Sequence, residues 1–221
     1  MPDAVLFGLL HVLVFAYWLG GDLGAFYTSR FLILPGISPD RRLLAARIVG
    51  DVDMAPRSAL VLTLPTGLAL AASKGWIDVG QPVLVFAGIG GAAWLALVWH
   101  LHLSHGAAPA LLRRTDLAIR WITVAGLAAW ACAGLAGAPG LPLFLAIKLL
   151  LLAGCILLGL LIRRVLAPLG PAIAGLAGAD PEGAETRLAA TLNAARPLVA
   201  CIWALLILAA LTGLWTPLEI G

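Results

Sequence analysis

Six stretches of this chain are each about 20 residues long and almost free of charge, which is what a helix needs to cross the hydrocarbon core of a bilayer. They run from about Ala4 to Tyr27 (extending toward Leu34), Pro56 to Ala72, Pro82 to His102, Leu117 to Leu135, Pro142 to Leu166, and Leu192 to Leu214. Of the 221 residues 62% are hydrophobic and 11% charged, against about 25% charged in soluble domains. Little chain is left for a soluble domain. The expected fold is all-α: one polytopic membrane bundle of six transmembrane helices covering residues 1–221. Met1 to Asp3 lacks a basic n-region and no small-residue cleavage site follows, so the first run is expected to be a retained helix.

The charges alternate. Arg30, Arg41, Arg42, Arg47 and Arg57 lie between runs one and two, and Arg113, Arg114 and Arg120 between three and four. Arg163, Arg164, Arg187 and Arg196 lie between five and six, whereas the intervening gaps hold Lys74 as their one basic residue. By the positive-inside rule the basic gaps are cytoplasmic, so the N and C termini are both expected outside. The net charge of +3 therefore reports topology and gives no reason to expect a nucleic-acid partner. Two basic gaps are long. Ser38 to Asp53 reads as an amphipathic segment on the membrane surface, and the Pro-, Gly- and Ala-rich 167–187 segment as a mobile loop. Cys132, Cys155 and Cys201 stand singly in apolar runs and read as small core residues. Gly88, Gly90 and Gly91 read as a site of close helix packing.

Ionisable side chains within such runs are costly and tend to face a bundle interior, where they meet a partner or ligand. At about 100° per residue, His11, Phe15, Trp18 and Asp22 share one face of the first helix. Gly20, Gly21 and Gly24 beside them permit close approach of a helix or a flat ligand. The stripe fits a pocket wall; a histidine bonded to a neighbouring helix is the plainer reading. Lys148 lies roughly 9 Å inside the outer end of run five, and His11 roughly 11 Å inside that of run one. Matching depth places His11 and Lys148 in one outer-half site, with Lys148 and Asp22 as candidate catalytic groups. Snorkelling of Lys148 to the outer surface is the alternative.

His100, His102 and His105 form HxHxxH at the inner end of run three. His102 and His105 share a face, whereas His100 and His102 lie about 160° apart. Three ligands for one metal are not expected from this helix alone. The pair binds a metal only with help from elsewhere, or lies among the headgroups, and His100 is deeper and closer to a cofactor position. Asp53 and Arg57 are four apart and can pair; Arg57 is either an inner anchor or a partner for a propionate or phosphate.

The pattern Leu10-His11, six residues, Trp18, then Gly20-Gly21 resembles the first helix of a bacterial membrane group. That group includes the HemJ-type protoporphyrinogen oxidases and the CopD-type copper-resistance proteins. Arg57 to Gly67 is similar to the second helix of the HemJ branch, and Lys148 with its four leucines to its lysine-bearing helix. Asn193 and Pro197 resemble its Asn-Glu-x-Pro motif, with Ala194 in place of the glutamate. The resemblance covers about half the chain and implies a b-type haem on His11, with Lys148 nearby; Trp18, Arg57 and His100 are the further cofactor-binding candidates that the residues themselves offer.

The leading expectation is thus a haem-b-binding redox protein of the bacterial inner membrane, an electron-transfer subunit or a HemJ-like oxidoreductase acting on quinone or porphyrin. An axial histidine, aromatic neighbours, small residues and a basic group are what a haem site needs. A second haem on His100 would complete an electron path. The alternatives are a CopD-like metal or small-solute transporter, with His11, His100, His102 and His105 as candidate metal ligands, and a non-catalytic assembly partner. Only two methionines and no paired cysteines make a soft copper path poorly supplied. A homo-oligomer is compatible with the chain. No Walker motif, HExxH or GxSxG is present, nor any nucleic-acid module.

Overall fold

A computed structural model describes residues 2–176, 178 and 180–214, and among these the regular structure is helical, with no strand. The elements are α1 (Pro2–Ser29), a 3₁₀ turn (Arg30–Leu32), α2 (Pro39–Val52), α3 (Met54–Ser73), α4 (Gln81–Leu103), α5 (Ala110–Leu135), α6 (Leu143–Val165), α7 (Leu169–Gly175) and α8 (Pro181–Leu214). Helices α1, α3, α4, α5, α6 and α8 are the six that are long and apolar enough to cross a membrane. Each packs on the next in chain order, and α8 returns to α1, closing a ring. The arginine-rich end is termed inner below. The chain has the form of a multi-pass integral membrane protein whose apolar outer faces suit lipid.

The outer connections are tight because of two glycines. Gly75 (φ +70°) and Gly137 (φ +86°) sit in the left-handed region just past α3 and α5. Trp76 N–H bonds Ala71 O at 2.9 Å and Gly75 N–H bonds Ala72 O at 3.0 Å, with the same pair of bonds, Ala138 to Ala133 and Gly137 to Gly134, after α5. This paired closure satisfies orphan carbonyls and turns the chain sharply. Proline in the first turn of α2 and of α4 removes an N–H that would have had no helical partner.

The middle of the ring is an apolar plug. Trp18, Met54, Leu60, Val61, Val98, Leu127, Ile156, Ile202 and Leu206 form one buried cluster contributed by all six spanning helices. Close approach of α1 to α3 depends on Gly21, where an added Cβ would sit 2.6 Å from Pro56 Cδ and 2.7 Å from Ala55 Cβ. Gly24 faces Val52 in the same way, whereas Gly20 has nothing within 4 Å. Of the α4 glycines only Gly91 meets a neighbour, Pro65 of α3; Gly88 and Gly90 face open space.

The inner end differs from expectation. The 167–187 segment, expected to be a mobile loop, is largely helical: α7 lies within it and α8 begins at Pro181, eleven residues before Leu192. At 34 residues, α8 is about 51 Å long against a core of about 30 Å, so its first turns project from the inner end. The reason is burial. Ala172, Leu176, Ala184 and Leu188 close over Leu32 and Ala45 in a second apolar cluster. Arg42 is only 2% exposed, donating to Leu34 O and Ile37 O at 3.3 and 3.2 Å and pairing with Glu185 at 2.8 Å. Helix α2 is thus clamped to α8, with Leu43, Leu44 and Ile48 exposed on its other face. Helix α5 likewise starts at Ala110, seven residues before Leu117, which brings Asp116 inside the bundle.

Candidate functional site

The outer half of the ring encloses a cavity of about 550 Å³ between α1, α3, α6 and α8. That volume lies in the range of small-ligand sites, about 300–1,000 Å³. Its walls are largely apolar, and the polar side chains that reach it include His11 on α1, Thr63 on α3, Lys74 just past the end of α3 and Lys148 on α6. Helices α1 and α6 both line this space without packing along their length, and at its floor Trp18 and Cys155 belong to the same buried cluster. Trp18 and Cys155 each lie seven residues below the polar residue of their helix, so His11 and Lys148 stand at matching height above the floor.

Helix α3 holds the histidine. Nδ1 of His11 lies 2.9 Å from Thr66 Oγ1. The Thr66 hydroxyl has one proton, and Leu62 O accepts it at 2.7 Å. Nδ1 must then be the protonated nitrogen, donating to Thr66, which leaves the Nε2 lone pair free. No hydrogen bond to Nε2 exists among the described residues. The ring lies against Gly67, where an added Cβ would stand 3.2 Å from His11 Cε1. A neutral imidazole with one nitrogen tied back and the other free is the form in which histidine binds metals. The Lys148 amine lies over Gly213 of α8, where a Cβ would come within 2.5 Å of Nζ. It lines the cavity from there.

The remaining candidates lie elsewhere. Trp18, 3% exposed, forms the floor. Asp22 is one turn lower, outside the cavity, with Oδ2 buried and without a partner among the described residues. Arg57 is at the inner end, donating Nε–H to Asp53 at 2.6 Å, nine residues or about 14 Å along α3 from Thr66. It does not share the histidine's cavity. His100 is exposed on α4. His102 Nε2 lies 3.1 Å from Asp51, and His105, past the helix end at φ 47°, bonds Leu103 O through Nδ1 at 2.7 Å. No group of three His, Cys, Asp or Glu side chains able to hold a metal exists among the described residues.

A buried network joins α4, α5 and α6 at the inner side, and sequence reasoning missed it. Asp116, 1% exposed, accepts from Trp94 Nε1 at 3.0 Å, Arg120 Nε at 3.1 Å and Arg163 Nη1 at 2.8 Å. The signal was the i,i+4 spacing of Asp116 and Arg120, obscured because Arg120 reads as one of the basic residues that mark a gap. Thr66 was missed too, although it lies about 10 Å from the outer end of its helix, level with His11.

Comparison of the chain with protein-family models, with curated proteins and with solved structures returns no match. The likeness to the HemJ and CopD group rests on the first-helix pattern and the shorter stretches quoted above.

Proposed function

We propose that this chain is a haem-b-binding integral membrane redox protein of the bacterial inner membrane, with the haem in the outer-half cavity and His11 as an axial ligand. The observation that carries the reading is the His11–Thr66 hydrogen bond, which leaves a metal-ligating lone pair in a largely apolar cavity. The residues present fit a haem. His11 would supply the nitrogen, Thr66 orients it, and Gly8 adds no side chain to the cavity wall. Lys148 provides a cation for a propionate, a cheaper arrangement than a lysine facing lipid alone. Haem, when bound, supplies one-electron chemistry. The protein's part is to orient the imidazole, hold the carboxylate end and exclude water. A porphyrin or quinone substrate would use the same apolar walls, and the first-helix resemblance favours a porphyrin.

The buried apolar cluster between the outer cavity and the inner end suits a bound cofactor better than the CopD-like transport reading. The test is purification of the wild type, His11→Ala and Lys148→Met, each with bound haem counted per chain. His11→Ala is expected to lose the haem and Lys148→Met to hold it more weakly, both remaining inserted. Full occupancy in His11→Ala removes His11 from the ligand set.

A further inference from the structure

We propose that the arginine-rich end carries a second site, an anion pocket for a phosphate group between α3, α4, α5 and α6. A cavity of about 230 Å³ lies there, and Arg57, His102, Arg113, Asp116 and Arg163 line it together with two apolar residues of α4. The four helices reach it by their inner ends, so it stands at the level where headgroups meet the protein.

The charges do not balance within the site. Four arginines, Arg57, Arg113, Arg163 and the adjoining Arg120, stand against two carboxylates: Asp53 pairs with Arg57, and Asp116 with Arg120 and Arg163. A third, Asp51, bonds His102 at the rim, where it is 73% exposed. Each guanidinium has five N–H donors, and few are used. Arg163 spends Nη1 on Asp116, and Arg113 spends Nη1 on Gly106 O at 2.9 Å. Arg120 is 3% exposed, and its buried Nη2 has no partner among the described residues. Arg57 and Arg163 keep 41% and 39% side-chain exposure despite their ion pairs.

Guanidinium groups converging from three helices on a small cavity match a tetrahedral anion with several acceptor oxygens better than a single carboxylate. Basic pockets between spanning helices on the cytoplasmic side are sites for anionic lipid headgroups. The shared chemistry is a phosphate group, whether carried by a lipid or free in solution. This site is separate from the histidine cavity and does not depend on the haem reading.

The test measures the unfolding midpoint of delipidated protein in neutral detergent at constant ionic strength. One arm titrates phosphatidylglycerol with phosphatidylcholine as control; the other titrates inorganic phosphate with chloride as control. Arg113 is exposed and outside the Asp116 network, so Arg113→Gln is expected to fold. Arg114→Gln, also exposed but not lining the cavity, is the control. Stabilisation should saturate in at least one arm, identifying lipid or free phosphate as the source. Arg113→Gln should weaken it about tenfold, the loss of one charge-assisted hydrogen bond, and Arg114→Gln should leave it unchanged. Equal loss in both variants, or no saturable stabilisation in either arm, overturns the proposal.

Discussion

Replacing Thr66 with valine tests how the histidine is prepared for its ligand. Valine keeps the shape of threonine and removes the oxygen that accepts the Nδ1 proton of His11 at 2.9 Å. A buried N–H left without an acceptor costs about 1–3 kcal/mol. The ligand-free protein lowers that cost by moving the proton to Nε2, which faces the cavity and can donate to water there, and so caps the nitrogen meant for the ligand. Binding must then reverse the tautomer, so the loss appears in affinity, with about 1.5 kcal/mol corresponding to roughly tenfold. Partners of metal-bound histidines are worth about 10–100-fold in affinity in general. The assay is haem titration of the ligand-free protein, followed by visible absorption, for wild type, Thr66→Val and Thr66→Ser. Serine keeps the hydroxyl and should stay within about threefold of wild type, inside the range set by a net hydrogen bond. The unfolding midpoint of ligand-free Thr66→Val should barely move. If Thr66→Val binds haem as tightly as wild type, the tautomer argument is wrong.

Three further outcomes follow from packing, charge and topology. Asp116→Asn leaves Arg120 buried without its counter-charge and should cost about 3–5 kcal/mol, read from denaturant unfolding in detergent; a loss under about 1 kcal/mol would mean the network is better hydrated than its burial indicates. Gly21→Ala should destabilise by about 1–3 kcal/mol through overpacking against Pro56, whereas Gly20→Ala, with nothing within 4 Å of the new methyl, should be neutral or slightly stabilising; equal effects would contradict the α1–α3 packing. In a background without native cysteines, Ser38→Cys should be labelled only from the cytoplasm and Ser73→Cys only from outside. Labelling of Ser38→Cys from the outside in intact cells would invert the topology.

The fold was legible because lipid imposes length and apolarity on every spanning helix, so six runs and their arginine-marked gaps stand out without any knowledge of contacts. Ends were less legible. Burial of Ala184 and Leu188 against Leu32 extends α8 well before its apolar run begins, and no local signal in a Pro- and Gly-rich stretch announces a partner 150 residues away. The cavity was partly legible: helical rise alone puts His11 and Lys148 at one depth, and both line one space. What rise cannot give is lateral position. It could not place Thr66 against the imidazole, Lys148 over Gly213, or Arg57 far from both. The Asp116 network was hidden for a related reason, since an acid and two arginines near a helix end look alike whether they face water or each other.

The most direct measurement is the visible absorption spectrum of the protein purified in detergent, recorded oxidised and after dithionite reduction, beside that of His11→Ala. The account predicts a haem spectrum in the wild type that changes on reduction and is absent from the inserted, folded His11→Ala protein. A colourless wild type that stays colourless when expressed and purified with added haem contradicts it.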